Sequence, residues 1–278
     1  MAIVDAHTHI FPPEIIRRRE RIAEKEKAFS LLYGDGRARM VDAAGLSEYI
    51  RKEGVERAFV LSFPFNDKGL LRVTNDYILE SSKEIPIVPF ILVDPKDVSF
   101  SLSEIERCFD LGARGVGEIG SYGGSLGEEE LRMMEPLVEC LEKKGGILSI
   151  HVNEQVGHGY AGKTFVDFRA LYSFIERHGE ATIILAHLGG GLCFFEFMPE
   201  VRRVFRNVYY DLAAAPFLYD SRMYAFVEMF LAEKTLFGSD FPLLPYSRYA
   251  KGMEGISPLA RDMILHKNAE RLLNDRLG

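Results

Sequence analysis

Four separated stretches of this 278-residue chain each end in a residue type that binds metal ions: Asp5-Ala-His7-Thr-His9, Ser149-Ile-His151, Leu185-Ala-His187 and Phe237-Gly-Ser-Asp240. Four of the seven histidines fall in this set. Imidazole nitrogens combined with carboxylate oxygens are the donor set of a catalytic zinc-like site. An ion held this way polarises a carbonyl or turns water into a nucleophile near neutral pH. Residues two apart on a strand point the same way. His7 and His9 are therefore expected to face one point, where His151, His187 and Asp240 can join them. An isolated H-x-H is a weak signal. Four such stretches at equivalent places are a much stronger one.

Each stretch closes a run that reads as a strand. The runs are Ala2 to Ala6, Arg57 to Phe63, Ile85 to Val93, Arg114 to Ile119, Ile147 to Val152, Thr182 to Ala186, Val208 to Leu212 and Thr235 to Phe237. Several are almost continuously apolar, as strands buried on both faces are. Amphipathic stretches between them read as helices: Leu46 to Lys52, Asn75 to Lys83, Ser103 to Leu111, Glu128 to Lys144, Phe165 to His178, Glu196 to Arg206, Tyr219 to Glu233 and Pro258 to Arg276. Ser103 with Glu106 fits a capping box, and Pro258 fits a first helical position. Strand and helix alternating eight times predicts a closed (β/α)8 barrel, one domain over 1–278. An open doubly wound sheet would carry a glycine-rich phosphate loop after its first strand; here His-Thr-His-Ile-Phe-Pro-Pro follows instead. The catalytic face of such a barrel gathers the C-terminal strand ends. Simple alternation places Ile3, Asp5, His7 and His9 on one face, as it does Ile147, Ser149 and His151, and Ile183, Leu185 and His187. The long connection 11–42 includes a basic stretch, Glu14 to Phe29, expected to be helical. It is lid-like in position, and its interleaved glutamates favour a solvated helix for most of the arginines.

Glu118, in Arg-Gly-Val-Gly-Glu-Ile-Gly, stands at the end of the fourth strand. A carboxylate there needs a partner, and a metal is one. Asp5 is either the hydrogen-bond partner of a ligand histidine or a hydrogen-bonding group on the barrel floor. His158 reads as a surface residue, His178 as a helix C-terminal residue and His266 as structural. Asn153, Tyr122 and Arg248 follow strands and are candidates for substrate contact. The apolar run Leu192 to Met198 is either an interface or a helix packed on the barrel, so a homo-oligomer is one expectation.

Hydrophobic residues make up 47% of the chain, ample for a large core, and the formal net charge is −7. That charge argues against nucleic-acid binding through the global field. The three cysteines, Cys108, Cys140 and Cys193, form no C-x-x-C pair. They read as buried thiols, in keeping with a reducing, cytoplasmic setting. No apolar run approaches the ~20 residues of a membrane span, and no basic stretch leads into a short apolar one at the N-terminus. The expected partner is a small-molecule substrate.

Asp5-Ala-His7-Thr-His9, Ile150-His151, Ala186-His187-Leu-Gly-Gly, Phe237-Gly-Ser-Asp240-Phe-Pro and the terminal Lys267-Asn-Ala-Glu-Arg-Leu-Leu together resemble the amidohydrolase-related metal-dependent hydrolases. The branch they are most similar to includes the aminocarboxymuconate-semialdehyde decarboxylase-like enzymes. The resemblance spans residues 5 to 273 and implies a (β/α)8 barrel with a divalent metal, commonly zinc. It implies His7, His9, His151 and Asp240 as ligands, with His187 holding a second ion or orienting water. Two-metal members often use a carboxylated lysine on strand four, but this chain has no lysine between Ala113 and Gly120. The Val-Gly-Glu118-Ile-Gly segment resembles the TatD-type nucleases, whose glutamate binds metal, so one or two ions are open. The leading expectation is hydrolysis of a small carboxylated or cyclic ester or amide by a metal-activated water, with Asp240 as proton shuttle. The alternative is nonoxidative decarboxylation of an unsaturated or aromatic acid, with Asp240 or His187 handling a proton. A lesser alternative is a TatD-like deoxyribonuclease.

Overall fold

The computed structural model of the chain describes residues 2–274. Eight parallel strands follow one another around a barrel: β1 Val4–Thr8, β2 Arg57–Val60, β3 Ile87–Ile91, β4 Gly115–Ile119, β5 Ile147–Ile150, β6 Thr182–Leu185, β7 Val208–Asp211 and β8 Thr235–Leu236. The ring closes between β8 and β1. Ala6 N–H donates to Phe237 O at 2.7 Å, Asp240 N–H to His7 O at 2.9 Å and His9 N–H to Phe241 O at 2.7 Å. Helices fill the connections, as the alternation predicts.

The helices begin where side chains satisfy their orphan N–H groups. Asp42 accepts from Gly45 N, Asp67 from Leu70 N, Asp97 from Phe100 N and Asp167 from Ala170 N. These caps move several starts. The helix expected from Ser103 runs Val98–Asp110, so the Ser103–Glu106 capping box is wrong: Asp97 caps that helix six residues before Ser103. The helix expected from Asn75 is Lys68–Ser81, and that from Leu46 is Ala43–Glu53. Ser257 caps the final helical region, with Pro258 at its first position. That region continues through a π-helical turn, Met263–Lys267, into Asn268–Asn274; positions 275 and 276 lie outside the described residues.

The connection after β1 is three short helices, Pro13–Arg17, Arg19–Ala23 and Lys27–Tyr33, where one was expected. Phe11, Phe29, Tyr33, Phe63 and Phe65 pack ring against ring and fix it to the end of β2. The buried Glu26 carboxylate adds N–H bonds from Asn66 and Asp67 at 2.8 and 2.9 Å. Arg17, Arg18 and Arg21 are exposed, whereas Arg19 donates to the carbonyls of Tyr33 and Gly36.

The barrel interior holds Val4, Ala6, Phe59, Leu61, Val88, Phe90, Ile147, Ile184 and Leu236, with Ala269 and Leu272 of the last helix packed on them. Ile3, Ile183 and Leu185 pack instead with the outer shell. Simple alternation on β1 and β6 is therefore corrected. The β1–β2 register slips between Asp5 and Thr8, and the β3-side strand β4 slips against β5 between Val116 and Ile119. A bulge of this kind re-aims the residues beyond it. It lets His7 and His9 face the barrel mouth although Val4 and Ala6 line the interior below.

The described residues contain no helix long and apolar enough to cross a membrane. Cys108 and Cys193 are buried, and burial pushes both thiols up to about 12.

Candidate active site

Every residue singled out as a candidate ligand lies at the C-terminal mouth of the barrel, in two touching groups. His7, His9 and Asp240 form one; Glu118, His151 and His187 form the other. Within each group the donor atoms lie within 4.8 Å of one another. The groups meet at His7 Nε2, 3.7 Å from Glu118 Oε2 and 3.7 Å from Asp240 Oδ1.

The outer nitrogen of each imidazole settles what the inner one can do. His7 Nδ1 faces Asp211 Oδ2 at 2.9 Å, His9 Nδ1 faces Leu61 O at 3.0 Å and His187 Nδ1 faces Ala213 O at 2.9 Å. His151 is turned the other way, with Nε2 on Gly162 O at 3.1 Å. The proton of each neutral ring is assigned to this outer nitrogen, which faces an oxygen acceptor away from the cluster. In the neutral rings the inner nitrogens are then bare lone pairs. They converge: His7 Nε2 and His9 Nε2 are 3.1 Å apart, as are His187 Nε2 and His151 Nδ1. His151 Nδ1 also lies 3.0 Å from Glu118 Oε1, and His9 Nε2 lies 3.4 Å from Asp240 Oδ1. Lone pairs and carboxylates meeting in a buried space repel unless a cation stands among them. The residues present fit a divalent metal for that reason, and their outer bonds are the orienting contacts that ligand histidines use.

In the metal-free protein, protons on the rings relieve part of this repulsion. Burial opposes charge on His7, yet the carboxylates of Asp211, Glu118 and Asp240 outweigh it and hold its imidazolium well above the ordinary range. His187 behaves likewise through Glu118, Asp240 and Asp211. Burial opposes ionisation of Glu118 and Asp240, but the surrounding imidazoles hold both carboxyls below their usual values.

Strained backbone delivers two of these side chains. His187, Leu188 and Asp240 have φ of 57°, 55° and 62°. Such conformations cost on the order of 1–3 kcal/mol each in a residue with a side chain. Asp211 Oδ1 accepts from His187 N at 2.9 Å, and Tyr219 OH donates to His187 O at 3.2 Å. The Gly189–Gly191 turn that follows brings Gly190 so close to Asn153 that a Cβ would stand 2.3 Å from its carbonyl oxygen. At β4, Gly117 serves Glu118 in the same way: a Cβ would meet that of Ser149 at 2.6 Å.

Asp211 is the functional residue that the sequence reading passed over. It ties His7 to His187 from the end of β7, and a carboxylate at a barrel strand end was the available signal. Asp5 bonds a candidate ligand histidine through the backbone N–H of His7 and not through its ring. It accepts from Tyr49 OH, Ser239 Oγ, Ser239 N and His7 N, reaching the helix layer, and burial raises it to about 6 against those bonds. Asn153 is buried and hydrogen-bonded to Thr164. Arg248 is exposed and does not line the cavity.

Above the candidate ligands lies a cavity of about 720 Å³. Tyr33, Phe63, Tyr122, Tyr160 and Phe217 wall it, and Arg37, Arg39 and His158 also line it. Phe63 and Tyr122 stack with ring planes 3° apart, and Tyr122 OH donates to Glu118 Oε2 at 3.2 Å. Arg37 pairs with Asp35, whereas Arg39 lies over the Phe241 ring.

A family model described as amidohydrolase matches residues 4–274. No curated protein matches the chain. Among solved structures, 5-carboxyvanillate decarboxylase from Sphingomonas paucimobilis shares 15% identity at a TM-score of 0.74, covering 98% of each chain. The 5-carboxyvanillate decarboxylase from Novosphingobium aromaticivorans, complexed with manganese and 4-hydroxy-3-methoxy-5-nitrobenzoic acid, shares 14% at 0.74, covering 98% of this chain and 95% of that one. The 2,6-dihydroxybenzoate decarboxylase from Rhizobium shares 16% at 0.65, covering 98% and 97%.

Proposed function

This chain belongs to the amidohydrolase family, and on that premise we propose that it is a divalent-metal-dependent decarboxylase of an aromatic or unsaturated carboxylic acid. The observation that carries the reading is the pairing of two features. Ring nitrogens and carboxylates converge on the floor of the cavity, and flat aromatic walls rise directly above them. The solved decarboxylases of similar fold support the same reading.

The metal would be held by His7, His9 and Asp240, with Glu118, His151 and His187 around it. Zinc suits the nitrogen-rich donor set, and one similar structure is complexed with manganese. When bound, the ion supplies positive charge that anchors the substrate carboxylate and a neighbouring oxygen.

The chain's own groups do the rest. The Phe63–Tyr122 wall receives the substrate ring, and Arg37 and Arg39 attract its anionic groups. The carbon–carboxyl bond breaks, carbon dioxide departs, and a proton takes its place on that carbon. Asp240, partly open to the cavity, delivers this proton after accepting it from solvent or from a substrate hydroxyl, and His187 steadies the charge that develops. Segment 11–42 contributes Leu32, Tyr33, Arg37, Ala38 and Arg39 to the cavity and acts as its cover.

Hydrolysis of a small ester or amide is the second reading. Glu118 favours it, because its two oxygens face the two ligand groups, as a carboxylate between two ions would. Incubating the metal-loaded protein with hydroxylated benzoates, unsaturated diacids and small carboxylated esters and lactones separates the two. Stoichiometric carbon dioxide release with the decarboxylated product supports the first reading. Ester or lactone cleavage without carbon dioxide replaces it with the second.

A further inference from the structure

The cavity above the candidate ligands is far larger than a one-ring acid needs. A single aromatic ring fills a cavity of roughly 150 Å³, and a water takes about 30 Å³. An ion, its waters and such an acid account for less than half of the 720 Å³ present.

Burial divides the lining into two chambers. Glu118, His151, His187 and Phe63 are buried at the inner end. Phe217 and Leu243, which line the same cavity, are 53% and 54% exposed. Leu32, Leu218 and Pro242 lie between these extremes, half-buried. A lone exposed Phe or Leu needs no explanation. Here they come from the connections after β7 and β8 and meet on one cavity that runs down to the candidate ligands. Apolar walls joined to a few convergent polar groups are the usual make-up of a ligand pocket.

Pinned backbone holds these side chains at the mouth. Leu243 N–H donates to Asp240 O at 2.7 Å, closing the turn that starts at Asp240. Phe217 N–H donates to Ala214 O at 2.8 Å and Tyr219 N–H to Ala215 O at 2.9 Å, which fixes the short helix Ala215–Leu218. Beyond the candidate ligands, the charged groups on the lining are Arg37 and Arg39, both on segment 11–42. Arg37 pairs with Asp35 at 2.6 Å, and Arg39 lies over the Phe241 ring. Each already has a partner, so they can draw an acid to the mouth while the Phe217 and Leu243 side receives an uncharged group.

We propose that the substrate is a two-part acid, with a carboxylate head on the metal floor and an apolar alkyl or aryl extension lying against Leu32, Phe217, Leu218, Pro242 and Leu243. This substrate class presupposes the metal-anchored carboxylate proposed above, whichever bond the site breaks.

Isothermal titration calorimetry of the metal-loaded full chain with benzoate and its 4-methyl to 4-hexyl derivatives tests it. Each methylene that enters the outer chamber should tighten binding by about two- to fourfold, so methyl to hexyl should gain at least about 30-fold. The double variant Phe217→Asn, Leu243→Asn should lose most of that gain, read as the hexyl-to-methyl ratio of its own affinities. Leu259→Asn, exposed elsewhere, should keep it. In the wild type, the hexyl derivative but not benzoate should slow hydrogen exchange in residues 215–218 and 241–244. No binding by any member, an affinity flat along the series, a gain kept in full by the double variant, or tighter binding of a 4-carboxyalkyl derivative than of the alkyl one of equal length would each overturn the proposal. Carbon dioxide release from hydroxylated benzoates with a flat series would strike the apolar extension and leave the reaction standing. A steep series without carbon dioxide release would do the reverse.

Discussion

Replacing Asp211 by asparagine isolates the orientation of one ligand from the presence of all the others. Asp211 is fully buried. Its Oδ1 accepts from His187 N at 2.9 Å and Ala213 N at 3.0 Å, while Oδ2 faces His7 Nδ1 at 2.9 Å. In Asp211→Asn the amide oxygen keeps both backbone bonds and the amide nitrogen takes the place of Oδ2. Two donors would then face each other, a conflict on the order of 1–3 kcal/mol in a buried site. The metal-free imidazole, charged beside Asp211 in the wild type, escapes by giving up its Nδ1 proton and keeping the one on Nε2. There it can donate to His9 Nε2, 3.1 Å away, so the metal-free fold loses little. The same proton occupies the lone pair that the metal needs. Loss of such an orienting partner typically weakens metal binding about 10–100-fold, or roughly 1.4–2.7 kcal/mol. The assay is competition with a chelator of known affinity, alongside thermal unfolding of the chelated protein. The expected result is that weakening with a metal-free Tm shifted by no more than about 4 °C. Undiminished affinity would refute the tautomer argument. A metal-free variant that fails to fold would make Asp211 a structural residue first.

Further outcomes follow from the same geometry. Without metal, His7 and His187 retain protons at neutral pH because carboxylates surround them. Loading must expel those protons, so affinity should fall as pH falls, by about tenfold per unit for each proton expelled; a flat affinity between pH 6 and 8 would contradict this. Asp240→Asn keeps the side-chain shape but cannot ferry a proton, and should cut turnover by about 10²–10⁴-fold while leaving the circular dichroism unchanged; near-normal turnover removes Asp240 from its role. Away from the site, burial opposes ionisation of Glu104, but bonds from Arg107 and Asn75 hold its carboxyl below the usual range. Its contribution is therefore fully present above the unfolded-state value and lost as pH falls through the folded one. Glu104→Gln should destabilise the protein at pH 7 by about 1–3 kcal/mol, with the gap to wild type shrinking in acid; denaturant titrations at pH 7 and pH 3 would show it.

The barrel was legible because eight apolar runs alternate with amphipathic stretches, and the candidate ligand residues were legible because they stand at the ends of those runs. Two kinds of information were not. The first is re-aiming of the chain. Period-two reading cannot register the slip between Asp5 and Thr8 or the left-handed backbone at His187, which set where the imidazoles point. The second is partnership across the sequence. Asp211 lay inside a recognised strand, yet its contact with His7 spans 204 residues and depends on closure of the ring. Asn153 followed a strand as Tyr122 did, but Thr164 claims its side chain while Tyr122 faces the cavity. Aspartates at 42, 67, 97 and 167 were readable helix starts, and the competing Ser103, six residues after Asp97, was a decoy.

The account stands or falls on whether the convergent nitrogens and carboxylates hold a metal. Elemental mass spectrometry of the purified chain, before and after reconstitution with zinc or manganese, measures this directly. One to two equivalents per chain, lost in a variant that replaces both His7 and His9 by alanine, is the result predicted. A chain that folds normally yet binds no divalent ion after reconstitution would contradict it.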